Sequence, residues 1–195
     1  MNYIIRGTSR CGKTMLTNLI VQKLVGYNKL STDNFIGAFN STMPKLEINH
    51  SSGKGMKKLF PEFLKHLLDN LKKKDNKLGL YYVLEGVDIS DELLEYYNNQ
   101  PDTTVICLGK PQLTREEYFK QVRYYEQRYL YGEWTKKLTD EELYSYCDYW
   151  INEAKQIQEM CKDKGYLFFD TSFNQEKVIK DIFKKIKKSK NKNLK

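Results

Sequence analysis

The sequence lacks the features of a membrane or secreted protein. No apolar run approaches the roughly 20 residues that a helix needs to cross a bilayer. The first six residues, MNYIIR, lead directly into a glycine turn. They lack the charged start, long apolar stretch and small-residue cleavage site of a signal peptide. We therefore expect a cytoplasmic protein with no membrane-spanning segment.

Cysteine and histidine are too few and too scattered to indicate a zinc site. The chain has 4 cysteines and 2 histidines, and no two cysteines form a CxxC pair. A disulfide framework is not expected in a cytosolic chain, so we expect reduced, mostly buried thiols. No sequence pattern near either histidine indicates a functional partner residue. The cysteines are Cys11, Cys107, Cys147 and Cys161, and the histidines are His50 and His66.

Positive charge is unevenly distributed along the chain. The formal net charge is +8, but much of the lysine excess lies after residue 183. A phosphorylated substrate, nucleic acid or a solvated lysine surface would each account for this balance. Without the C-terminal lysines the remainder is only mildly basic, so charge alone is weak support for nucleic-acid binding. We predict a single domain over residues 1–188 and a basic tail over 189–195.

Short apolar segments alternate with amphipathic ones, without internal repeats. This alternation predicts an α/β fold with a parallel sheet covered by helices on both faces. Residues 35–55 have no clear period and are predicted to be irregular. Gly165 is predicted to end a long helix that Thr139 caps. The predicted strands are 3–5, 29–31, 80–84, 103–108 and 166–169, and the predicted helices are 15–24, 61–71, 91–98, 114–131, 139–164 and 174–187.

The first turn carries the most specific motif of the chain. It matches G-x-x-x-x-G-K-[ST] at every position, between a predicted strand and an amphipathic helix. The glycines allow backbone N–H groups to turn inward around phosphate, and the following helix directs its positive end at the same anion. We predict ATP and Mg²⁺ as ligands, with Lys13 on the β- and γ-phosphates and Thr14 on the metal. The predicted cofactor-binding residues are Gly7, Thr8, Ser9, Arg10, Cys11, Gly12, Lys13 and Thr14.

The length and the absence of an NKxD signature disfavour a motor protein or a small GTPase. The segments IIRGTSRCGKT, LSTDNF and YYVLEGVDI resemble the small P-loop kinases of the nucleoside-monophosphate kinase superfamily. They are especially similar to the 2-phosphoglycerate kinase-like branch. That resemblance implies a three-layer P-loop NTPase fold, a five-stranded parallel sheet in the order 2-3-1-4-5, and a helical lid, here over 110–137. The run EGVD departs from an EGVH-like run in related kinases and leaves the acceptor open.

Carboxylates follow two of the predicted strands. By the resemblance, Asp33 lies where such kinases hold the acceptor or the metal, and it is a candidate catalytic and metal-binding residue. A capping or turn aspartate is the alternative. Glu85 ends a buried strand, where an acid holds Mg²⁺ directly or through water. Asp88 is the reserve candidate for this role.

Arginines in the lid are candidates for neutralising charge on the transferred phosphoryl group. Arg123 is the first choice, Arg128 the second and Arg115 the third. Ordinary surface ion pairs are the alternative for each. The lid is also rich in tyrosine, and such a surface is able to stack on nucleic-acid bases.

Together these features predict an ATP-dependent phosphotransferase acting on a polar or anionic small molecule. One alternative is a nucleic-acid end kinase or a nucleotide-dependent binding protein. Another is a toxin-like metabolite kinase. The oligomeric state and the acceptor are not readable from the sequence.

Overall fold

A computed structural model describes residues 1–50, 53–128 and 133–192. Its sheet has five parallel strands in the order β2-β3-β1-β4-β5, which confirms the predicted α/β fold and strand order. The strands are β1 (Asn2–Gly7), β2 (Tyr27–Ser31), β3 (Tyr81–Gly86), β4 (Thr103–Gly109) and β5 (Leu167–Asp170).

Helices connect the strands and cover both faces of the sheet. Within the described residues, no helix is both long and apolar enough to cross a membrane. The helices are α1 (Lys13–Lys23), α2 (Thr32–Thr42), α3 (Lys54–Lys57), α4 (Leu59–Asp75), α5 (Asp91–Asn98), α6 (Arg115–Arg128), α7 (Glu133–Lys136), α8 (Asp140–Lys164) and α9 (Gln175–Lys192).

Side chains of the central strands alternate between two apolar cores. Ile4 and Leu84 face a core shared with α4, α5 and α8. Ile5 and Leu108 face the opposite core, shared with α1 and α9. Burial on both sides explains why these strands are apolar without interruption. Each fully buried aliphatic side chain stabilises the fold by about 1.5–3 kcal/mol. The sheet therefore holds the loops at its carboxyl edge in fixed positions.

The segment expected to be irregular contains a helix, so that expectation is wrong for residues 35–42. Helix α2 begins at Thr32 and places Phe35 and Phe39 on one face. Phe39 packs edge-on against Phe63 of α4, with ring centroids 5.0 Å apart. The interleaved glycine, asparagine and serine residues obscured this apolar spacing. Beyond α2 the chain is irregular up to His50, apart from a 3₁₀ turn at Pro44–Leu46, and the short helix α3 begins at Lys54.

The predicted helix ends are mostly close to the observed ones. Thr139 and Glu142 form the expected capping box at the start of α8, and Gly165 ends it with φ 69°. The hydroxyl of Ser90 accepts a hydrogen bond from the backbone of Leu93, as a capping residue should. Helix α9 continues to Lys192, so part of the segment predicted as a tail is helical. The end predicted for the 114–131 helix lies outside the described residues.

Candidate functional site

The loop between β1 and α1 has the backbone shape that a phosphate cradle requires. Gly12 has φ 103°, a conformation that side chains disfavour. A Cβ atom at Gly7 would lie 2.2 Å from the carbonyl oxygen of Leu108, so this position also excludes a side chain. Arg10 adopts φ 59° between them. Alternating turns of this kind direct successive N–H groups inward beside the amino end of α1.

Three side chains of the predicted site meet beside this loop. Lys13 is 8% exposed, and its Nζ donates to the carbonyl of Thr8 at 2.7 Å. The Thr14 hydroxyl lies 3.2 Å from Oε1 and 3.3 Å from Oε2 of Glu85. Glu85 is 5% exposed at the end of β3. The structure thus joins the motif residues to the acid predicted on a neighbouring strand.

The Thr14–Glu85 pair fits a magnesium ion. Mg²⁺ prefers hard oxygen ligands and few protein groups, keeping the other positions for water and phosphate. A threonine hydroxyl and a buried carboxylate converging beside the phosphate loop provide that donor set. Nζ of Lys29 lies 3.3 Å from Oε1 of Glu85 and offsets its charge.

The other predicted carboxylates lie together, with a histidine that sequence reasoning left unassigned. Asp33 is exposed in the first turn of α2, and Asp88 follows β3. Nδ1 of His50 lies 2.8 Å from Oδ2 of Asp88. This hydrogen bond favours the protonated imidazole and raises the pKa of His50. One ligand atom from each of Asp33, His50 and Asp88 lies within 4.8 Å of the others.

The predicted lid arginines bond to residues within the lid and to the neighbouring helix α8. Arg123 donates to Asp140 at 2.8 Å and to Glu126 at 3.0 Å. Arg115 pairs with Asp148 at 3.4 Å, on the outer side of α6 and α8. Arg128 bonds to the hydroxyl of Tyr124, one turn earlier on α6. The contacts of Arg115 and Arg123 match the ion-pair alternative, and the catalytic assignment of each arginine stays a prediction.

Arg10 connects the phosphate loop to the lid. Its guanidinium donates to the hydroxyl of Thr135 in α7 at 2.6 Å, and that hydroxyl donates to Glu126 of α6. Burial lowers the pKa of Arg10. Arg123 donates to the backbone carbonyl of Thr135 at 3.3 Å. Arg10 and Arg123 therefore both bond to Thr135, Arg10 at its hydroxyl and Arg123 at its carbonyl. The loop motif located Arg10, but nothing in its pattern indicated this bond.

Two further residues behind the loop were missed by sequence reasoning. The Tyr118 hydroxyl donates to the carbonyl of Ser9 at 2.6 Å and anchors the loop to α6. Lys110 is fully buried directly after β4, and its Nζ donates to Gln121 at 2.7 Å. Burial lowers the pKa of Lys110 to about 8. The available signal is a lysine directly after an apolar strand, at the position where the predicted lid begins.

Cavities surround these groups. A pocket of about 120 Å³ lies at the loop and is lined by Arg10, Lys13 and Thr14. It shares Tyr125 and Gln175 with a groove of about 700 Å³ between α6 and α9. Another cavity, of about 280 Å³, is lined by charged residues near the carboxyl edge of the sheet. They are Arg6, Lys57, Asp88 and Glu153.

Solved structures share this arrangement of elements. Shikimate kinase from Bacteroides thetaiotaomicron matches with a TM-score of 0.59 and 16% identity, over 96% of this chain and 98% of that one. Shikimate kinase from Acinetobacter baumannii, in complex with shikimate, matches with a TM-score of 0.54 and 15% identity, over 98% and 93%. No protein-family model and no curated protein matches the sequence. The chain therefore has the P-loop NTPase fold of the shikimate kinases.

Proposed function

We propose that this protein is an ATP-dependent phosphotransferase that moves the γ-phosphoryl group to a small acceptor. The convergence of Lys13, Thr14 and Glu85 around the glycine loop carries the proposal. The buried acid facing the Thr14 hydroxyl adds a metal-binding pair to the phosphate loop, as phosphoryl transfer from Mg²⁺–ATP requires. The similarity to shikimate kinases in fold supports this reading. Membership of the 2-phosphoglycerate kinase-like branch rests on sequence resemblance alone.

Each group in the loop has a role in holding the nucleotide. The N–H groups of the loop and the amino end of α1 bind the phosphates, and Lys13 exchanges its bond to Thr8 for one to the phosphate oxygens. Thr14 and Glu85 would hold Mg²⁺, which would supply positive charge to offset that of the phosphates. Arg10, held toward the lid by Thr135, lines the same pocket and is available to the γ-phosphate.

The nucleoside fits the groove between α6 and α9. This groove continues from the phosphate pocket through Tyr125 and Gln175. Its walls include Tyr124, which offers a flat ring for a base to stack on. Lysines and two acids, Glu176 and Asp181, also line it. These lysines are Lys120, Lys177, Lys180 and Lys184.

The acceptor fits the 280 Å³ cavity and is polar or anionic. Within the described residues, Nε of Arg6 and Oε2 of Glu153 are buried without a hydrogen-bond partner. Unsatisfied buried groups of this kind favour a polar ligand. Arg6 and Lys57 suit an anionic group, and Glu153 and Asp88 suit hydroxyls. The Acinetobacter structure, which contains shikimate, supports a small-molecule acceptor.

Asp33 is proposed to act on the acceptor hydroxyl. Its carboxylate lies at the start of α2, near Asp88, which lines the acceptor cavity. There it would orient the hydroxyl and take its proton late in transfer. Arg123 and Arg128 remain proposed lid residues for the transition-state charge. For Arg123 this requires release from Asp140 and Glu126 when the lid closes.

The test is a coupled assay of ADP release with Mg²⁺ and ATP against a panel of hydroxylated acids, sugars and phosphorylated small molecules. We expect at least one compound to stimulate ADP release and to appear as a phosphorylated product by mass spectrometry. ATP hydrolysis with no phosphorylated product from any compound would contradict the proposal. Stimulation by oligonucleotides, lost steeply as salt rises, would instead favour a nucleic-acid substrate.

A further inference from the structure

A cluster of metal-ligating groups lies beside the proposed catalytic residues and comes from separate parts of the chain. Asp33 belongs to the first turn of α2, His50 to the irregular segment before α3, and Asp88 to the turn after β3. One ligand atom from each lies within 4.8 Å of the others, and Nδ1 of His50 is 2.8 Å from Oδ2 of Asp88. Ligands about 2.1 Å from one ion lie at most about 4.2 Å apart. Small side-chain rotations therefore bring all three onto one ion.

The donor set differs from that of the Thr14–Glu85 pair. Thr14 and Glu85 offer oxygen only, which suits Mg²⁺. The imidazole of His50 adds nitrogen, which favours zinc, manganese, cobalt and related ions over Mg²⁺. Two carboxylates with a neutral imidazole also balance the charge of a divalent cation.

One side of the cluster is exposed, and this leaves room for an additional ligand. The Asp88 side chain is 7% exposed and anchored against the protein, whereas His50 is 56% exposed. Three protein ligands with an open side leave coordination positions for water or another oxygen ligand. Asp88 also lines the 280 Å³ cavity, so such a position adjoins the proposed acceptor.

We propose that Asp33, His50 and Asp88 form a second metal site, which binds a divalent transition-metal ion such as Zn²⁺ or Mn²⁺. The ion would connect the start of α2, the irregular segment and the end of β3. Its binding requires neither nucleotide nor acceptor. Failure of this inference would therefore leave the proposed phosphotransferase activity unaffected.

The 2 histidines of the chain make a direct test possible. Zn²⁺ is titrated into nucleotide-free protein labelled with ¹⁵N-histidine, and both imidazoles are followed by NMR. We expect the ring signals of His50 to shift saturably at one equivalent, while those of His66, exposed on α4, stay in place. Asp33→Asn and Asp88→Asn should each weaken Zn²⁺ affinity at least about tenfold. His66→Gln is the matched control and should bind as the wild type does.

Several results would overturn the proposal. They are equal shifts of both histidines, no shift at millimolar Zn²⁺, and unchanged affinity in both aspartate variants, which would indicate binding to a lone imidazole. The visible spectrum of wild-type protein loaded with Co²⁺ adds a measurement that needs no variant. A spectrum identical to that of aqueous Co²⁺ would also contradict the site. Backbone NMR spectra of the variants check that they remain folded.

Discussion

At the scale of single residues, the site is built from side chains that already have partners. Lys13 bonds to the carbonyl of Thr8, and Glu85 pairs with both Thr14 and Lys29. Such bonds hold charged groups in place without a ligand, because burying an unpaired charge is costly. A ligand must therefore replace each bond with one at least as favourable.

Lys13→Ala should lower ATP turnover by about 10²- to 10³-fold, because it removes a fixed positive charge from the phosphate pocket. Lys23→Ala is the matched control, since Lys23 is exposed at the other end of α1. The measurement is ADP release at saturating acceptor, with circular dichroism to verify folding. Wild-type turnover in Lys13→Ala would remove the loop from the mechanism.

Asp33→Asn should spare ATP binding and reduce phosphoryl transfer by about 10²-fold or more, because the amide is unable to take the acceptor proton. Isothermal titration with a nonhydrolysable nucleotide measures the first property, and single-turnover transfer measures the second. Asp163→Asn, an exposed change on α8, controls for the lost charge. Transfer at the wild-type rate would exclude Asp33 as a base.

At the scale of elements, the sequence predicts those parts whose signal is local. The period of the strands, the glycine loop and the cap at Thr139 depend on residues close in sequence, and each was found near its predicted position. Helix α2 was missed because its apolar face is interrupted by small polar residues. His50 and Asp88 are 38 residues apart, and their contact depends on an irregular segment with no period.

The contact between α6 and the phosphate loop also spans a long separation in the sequence, and it joins the predicted lid to the loop. Tyr118→Phe removes the donor to the Ser9 carbonyl. We expect the free energy of unfolding to fall by about 1–3 kcal/mol and the KM for ATP to rise. Urea unfolding and steady-state kinetics measure the two effects. Tyr146→Phe, at an exposed position of α8, should change neither; equal effects in both variants would refute the role of this anchor.

At the scale of the whole molecule, the parallel sheet brings distant residues to one edge. β1 lies between β3 and β4, so the glycine loop, Glu85 and Lys110 all lie at the carboxyl ends of adjacent strands. Strand order was predictable by resemblance, and with it the approach of Thr14 to Glu85. The bonds of Arg10, Tyr118 and Lys110 depend on how the lid packs, which no local pattern specifies.

The buried Lys110 makes global stability depend on pH. Its pKa is lowered from 10.5 to about 8, so the unfolded chain binds the proton more tightly than the folded one. The cost of burying the charge is complete below pH 8 and is relieved between about pH 8 and 10.5. The stability of wild type relative to Lys110→Met should therefore rise by about 3 kcal/mol across this window.

Guanidinium unfolding of both proteins at several pH values measures this difference. Titration of groups far from Lys110 affects both proteins alike and cancels in the comparison. A difference that stays constant with pH would show that the Lys110 amine keeps its ordinary pKa in the folded protein.

The cysteine in the phosphate loop provides a chemical reporter. Cys11 is fully buried beneath the loop, and burial raises the pKa of its thiol. The other three thiols are buried as well. Alkylating reagents therefore reach Cys11 only while the loop is open. The rate of Cys11 labelling, measured by peptide mass spectrometry, reports how often the loop opens. Nucleotide that closes the loop should slow that rate in the unmodified protein.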